Sequence, residues 1–167
     1  LSAHYGNWEF TAASAAASLG IPFHIIIKEQ RNSFVTEWMN RTRTKWGNEV
    51  VPLGISVRNI LKAILEKKIV AMVADQRGPS DGIRVNFFGR PAAVYAGPAL
   101  LALKTKAPML MSIPVRQEDY SYKAIVEEIS VDNLPENEDE KIIELSQRHT
   151  NYLEKYIREH PEQWLWM

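Results

Sequence analysis

Ile69-Val70-Ala71-Met72-Val73-Ala74, followed at once by Asp75-Gln76-Arg77-Gly78, is the stretch that decides the fold. An apolar run this short, rich in β-branched residues and closed by an aspartate and a glycine, predicts a buried strand rather than a helix. Two similar runs precede it, Phe23 to Lys28 (FHIIIK) and Val50 to Leu53 (VVPL). The intervals between them have helical character. Asn32 or Ser33 can cap a helix through Phe34, Val35, Trp38 and Met39 to Trp46, with Gly47 at its stop. Ser56 caps a second helix with Val57, Ile60, Leu61, Ile64 and Leu65 on one face. Strand, helix, strand, helix, strand predicts a parallel sheet with right-handed crossovers.

Toward the N-terminus, His4-Tyr5-Gly6-Asn7-Trp8-Glu9 leads into an alanine-rich helix that Asn7 caps and Gly20 stops. Toward the C-terminus, Gln76 to Tyr95 lacks helical periodicity, is punctuated by glycine and proline, and reads as a long loop ordered around Val85 to Phe88. Gly97-Pro98 opens another helix. Pro108 to Val115 reads as a strand with Tyr122 to Ile129 as its antiparallel neighbour, and Glu136 to Glu140 opens a long amphipathic helix. The predicted fold class is α/β: a mostly parallel central sheet flanked by helices, with an antiparallel edge pair near the C-terminus, forming one domain over residues 1–167.

Composition narrows the functional classes. Of 167 residues, 46% are hydrophobic and 24% charged, as in ordinary globular proteins. Twenty lysines and arginines balance twenty acids, so no global field advertises nucleic acid, and none is expected as a partner. With no cysteine, disulfides, thiolate metal sites and a cysteine nucleophile are excluded. No apolar run approaches the roughly 18 residues that span a bilayer. Glycine-rich phosphate loops, zinc-ligand spacings and the G-x-S-x-G elbow are absent. The abrupt opening at Leu1-Ser2-Ala3 and the aromatic ending read as a piece of a longer chain.

The residues that carry chemistry lie at the predicted strand ends. His4 pairs a base that titrates near neutrality with Glu9, an acid in the first turn of the following helix. An isolated H-x4-E match arises by chance in many proteins, so its context has to lift it. Asp75 closes a strand, and in parallel sheets ligands gather beyond the carboxyl ends of the strands. Arg41, Arg43 and Lys45 make one helix end basic. Arg77, Arg84 and Arg90 surround Phe87-Phe88-Gly89, where an arginine can fork onto phosphate or carboxylate.

Four stretches, HYGNWE, DQRG, NFFGRPAAVYAGPALLALKTKAP and PEQWLWM, closely resemble in order the bacterial lipid A late acyltransferases of the lauroyl/myristoyl type, relatives of the H-x4-D/E glycerolipid acyltransferases. The resemblance implies a glycerolipid-acyltransferase-like α/β fold and an enzyme of the cytoplasmic face of the inner membrane. Its reaction would move a fatty acyl chain from acyl carrier protein, or CoA, to a hydroxyl of a lipid A precursor, with no metal or other cofactor. His4 would take the acceptor's proton and Glu9 would orient and charge the imidazole. Arg41 or Arg43 would match the family's arginine site, Asp75 its strand-end aspartate, and Gly89 would shape the site loop; Arg77 and Arg90 join them as substrate-binding candidates. The implied partners are acyl carrier protein, the lipid A precursor or a related glycolipid, and a membrane surface. In relatives an amino-terminal region carries the membrane anchor, and the chain continues past the W-L-W-M run. The competing readings are transfer to another glycolipid or a lipoamino acid, and a non-catalytic domain that binds lipid or carrier protein.

Overall fold

The computed structural model describes residues 1–54 and 57–166, so the Ser56 cap and Met167 lie outside the described residues. The chain forms two compact units, Asn7–Met72 and Leu1–Gly6 with Val73–Met167.

In the unit Asn7–Met72, helix α1 (Trp8–Leu19) begins where the Asn7 side chain accepts the Phe10 N–H and ends at Gly20, whose φ of 65° lets its N–H return to Ala16. Strand β1 (Phe23–Ile27) is the centre of a parallel sheet in the order β2-β1-β3, with β2 at Glu49–Pro52 and β3 at Ile69–Ala71. Helix α2 (Ser33–Thr44) is capped by Asn32, and α3 spans Val57–Leu65. Buried Asn48 joins sheet to helix: its carbonyl accepts the Phe23 N–H at 2.8 Å and its amide donates to the Arg43 carbonyl at 3.1 Å. The predicted parallel sheet with its intervening helices is therefore present.

In the other unit, Ser2 bridges Val73 in parallel, and the Leu1 carbonyl accepts the Ser112 N–H. The apolar run that decides the fold is thus shared, since Ile69 to Ala71 pair with β1 and Val73 pairs with Ser2. Two antiparallel pairs follow: β4 (Ile83–Phe87) with β5 (Arg90–Val94), and β6 (Leu110–Arg116) with β7 (Tyr122–Glu128). Helix α4 (Gly97–Thr105) and the long α5 (Glu138–Glu159) complete the unit, with Ala3, Tyr5, Met111, Ile113, Leu145 and Ile157 in its core. Among the described residues, no helix is long and apolar enough to cross a membrane.

The long loop expected over Gln76 to Tyr95 contains a hairpin. Its turn is Phe88-Gly89, both left-handed at φ 51° and 75°, as the tightest hairpin turns require. Phenylalanine is an unusual choice at such a position, which hides the turn from a sequence reading. Its neighbours hold it there: the Phe88 N–H donates to Glu154 Oε2 at 2.7 Å, and the ring packs edge-on to Phe87 and under the Arg158 guanidinium. That backbone donor in turn keeps the Glu154 carboxyl below the usual carboxylate range.

Candidate active site

Strand register creates the site. The parallel bridge between Ser2 and Val73 sets the residues two further along each chain, His4 and Asp75, side by side. The His4 backbone N–H donates to Asp75 Oδ2 at 2.7 Å, and the ring Nδ1 lies 2.7 Å from Oδ1. Trp164 supplies a third donor, its indole N–H reaching Oδ2 at 2.9 Å. The Asp75 side chain is 1% exposed and that of His4 12%. Burial alone would raise the Asp75 carboxyl, but the His4 and Trp164 hydrogen bonds outweigh it and hold the group below the usual carboxylate range. Asp75 is therefore an anion near neutrality. A carboxylate only accepts, so Nδ1 carries a ring proton, and in the neutral tautomer this leaves the lone pair on Nε2.

The backbone around His4 is pinned from the far end of the chain. Leu165 donates its N–H to the His4 carbonyl at 2.8 Å, Tyr5 bridges Trp164, and the Gly6 N–H reaches the Gln163 carbonyl at 2.7 Å. Gly6 has a φ of 54°, and a Cβ there would lie 2.1 Å from the Pro114 carbonyl oxygen. Only glycine fits between His4 and the following helix.

A cavity of about 290 Å³ adjoins Asp75. Phe87, Val94, Met111, Leu153 and Trp164 give it apolar walls, while Gln76, Arg77 and Arg84 add polar and cationic groups. His149 also lines it; this ring is 3% exposed, and burial pushes its pKa down to about 4, so it is neutral near pH 7. Sequence reasoning missed His149, although its place four residues after Leu145 and four before Leu153 puts it on the buried face of α5.

Within its own unit, Glu9 is held by an arginine. Both of its carboxylate oxygens are held by the Arg43 guanidinium, Nε donating to Oε2 at 2.8 Å and Nη2 to Oε1. The carboxylate on the imidazole Nδ1 is Asp75, because register brings it there, whereas Glu9 starts α1 and faces the end of α2. Of the two candidate arginines, Arg43 grips the motif acid, whereas Arg41 is exposed and pairs with Glu37. A double-mutant cycle of Glu9→Gln and Arg43→Met, read by denaturant unfolding, is expected to give a coupling of about 1–3 kcal/mol, as for groups sharing a bidentate pair. Additive losses would show that the fork contributes no pairwise energy.

The remaining predicted site residues are dispersed. Arg77 lines the cavity beside Asp75. Gly89 forms the β4–β5 turn, and Arg90 pairs with Phe87 at the start of β5. Trp164, within the PEQWLWM stretch, donates to Asp75 through a contact 89 residues away.

The family described as bacterial lipid A biosynthesis acyltransferase matches residues 1–167. The chain is similar to a phosphatidylinositol mannoside acyltransferase of Mycobacterium tuberculosis, 27% identical over 111 residues, which cover 64% of this chain and 35% of that protein. It is similarly related to the phosphatidylinositol mannoside acyltransferase of Mycolicibacterium smegmatis, 26% identical over 110 residues, or 64% and 36% of the two chains. These matches cover about a third of the length of the curated relatives.

Proposed function

Since the chain belongs to the bacterial lipid A biosynthesis acyltransferase family, we propose that it is the catalytic part of an O-acyltransferase that moves a fatty acyl chain from acyl carrier protein to a hydroxyl of a lipid A precursor. The observation that carries the mechanism is the 2.7 Å contact between His4 Nδ1 and a buried, ionised Asp75.

In this reading His4 Nε2 takes the proton from the acceptor hydroxyl as its oxygen attacks the thioester carbonyl. Asp75 holds the ring in the required tautomer and stabilises the imidazolium as it forms. Collapse of the tetrahedral intermediate expels the thiolate, which recovers the proton from the ring. The products are an ester and a free thiol. General-base help supplies about 10²–10⁴ in rate, and positioning and charge stabilisation supply the remainder. Arg77 and Arg84, at the cavity, are the cations proposed to meet an anionic group of the substrates. Glu9 and Arg43 act in this scheme by fixing α1 against α2. The proposed setting is the cytoplasmic face of the inner membrane, where a soluble acyl carrier meets a lipid acceptor.

A second reading keeps the chemistry and changes the acceptor to a mannosylated phosphoinositide, as the names of the similar mycobacterial proteins favour. Lipid extracts from a strain lacking the gene, compared with wild type by mass spectrometry, distinguish the two by which species loses an acyl chain. Purified full-length protein, given acyl carrier protein or CoA thioesters, should acylate that same species. Binding of the lipid with no transfer from either donor would replace both readings with a non-catalytic lipid-binding domain.

A further inference from the structure

Helix α2 is built inside out. None of its residues is buried. At about 100° per residue, Phe34, Trp38, Arg41 and Lys45 share one side, and there Phe34 is 82% and Trp38 69% exposed. The opposite side is mostly polar, with Thr36, Asn40 and Arg43 partly covered beside Met39, and Arg43 turned to Glu9. A surface helix ordinarily hides its apolar stripe and shows its charges. Here the polar stripe is covered and the two largest rings project outward.

Charge accompanies the rings. Residues 28–45 hold five cations against two acids. Glu37, the acid within α2, is tied to Arg41 at 2.5 Å, and Lys45 lies over the Trp46 ring. We propose that this side of α2 lies on an anionic lipid surface, with Phe34 and Trp38 at the boundary between headgroups and acyl chains and Arg41 and Lys45 against lipid phosphates. Tryptophan favours that boundary, and basic residues flanking an apolar helix face add attraction to anionic headgroups. A second copy is the weaker occupant, because a two-fold contact across this face would set Arg41 and Lys45 of each copy near the same cations of the other. The inference goes beyond the acyl-transfer reading and holds for any acceptor lipid.

The test uses the full-length protein with a single cysteine placed by Phe34→Cys and labelled with an environment-sensitive fluorophore. Addition of vesicles rich in phosphatidylglycerol should shift its emission to the blue and expose it to quenching by nitroxide-labelled lipids. The double substitution Phe34→Ser with Trp38→Ser should weaken vesicle partitioning about tenfold or more, and Lys45→Glu should weaken it several-fold at low salt only. A label at residue 34 that stays in water while the protein sediments with vesicles overturns the proposal. So do the absence of vesicle binding and equal binding to pure phosphatidylcholine. A label already shielded before vesicles are added also overturns it, and light scattering then tells whether a second copy covers the helix. Transfer assays in detergent micelles are independent of all these outcomes, so failure here and failure of the catalytic reading are separable.

Discussion

Replacing His4 with alanine in the full-length protein is expected to lower kcat/KM for acyl transfer by about 10²–10⁴. The magnitude follows from what is lost and what stays. The alcohol loses the base that accepts its proton, while the cavity, its arginines and the bound substrates remain to supply positioning. The fold should survive. Asp75 keeps the backbone N–H of residue 4 and the Trp164 indole as donors, so the deletion leaves no buried carboxylate stranded. Thermal unfolding close to that of the parent, together with partial rescue by added imidazole, would assign the loss to chemistry. Turnover near the parent level would remove His4 from the mechanism.

Asp75→Asn is expected to cost a similar factor, about 10²–10⁴ in kcat with little change in the donor's KM, for a reason specific to this site. Oδ2 accepts two N–H groups, from His4 and Trp164, so an asparagine must present its carbonyl oxygen there. Its amide NH2 then faces Nδ1 and donates to it. That hydrogen bond to Nδ1 moves the ring proton to Nε2, and the proton there blocks the nitrogen that must act as base. Kinetics that match the parent would show that Asp75 does not set the tautomer. The same substitution has a stability signature. Because the folded-state carboxyl titrates below its ordinary value, its contribution to stability is present above about pH 4 and lost as pH falls through the depressed folded value. Unfolding free energy of the parent should therefore drop on acidification below about pH 4, with a smaller drop in the asparagine variant.

What could be read beforehand divides by range. Asn7, Gly20 and Asn32 act within a turn of their helices, so their capping roles were legible, and the apolar runs that became β1 to β3 announced the parallel sheet. The carboxylate on His4 Nδ1 was not, because the Ser2 to Val73 register chooses it and no local pattern encodes that register. The β4–β5 hairpin escaped because Phe88 holds a left-handed position that glycine or asparagine usually takes. Periodicity placed Phe34 and Trp38 on one side of α2, yet spacing alone cannot say which side faces inward.

Asp75 gathers donors from residues 4 and 164, and the segment 163–165 also clasps residues 4 to 6. The imidazole is thus seated only after residues 4–6 and 163–165 have met. A ribosome-bound polypeptide that has not yet released Trp164 lacks that clasp. Seating of the proposed base therefore waits for residues 163–165, and a nascent polypeptide exposed only as far as residue 100 carries the motif without the geometry that would put it to use.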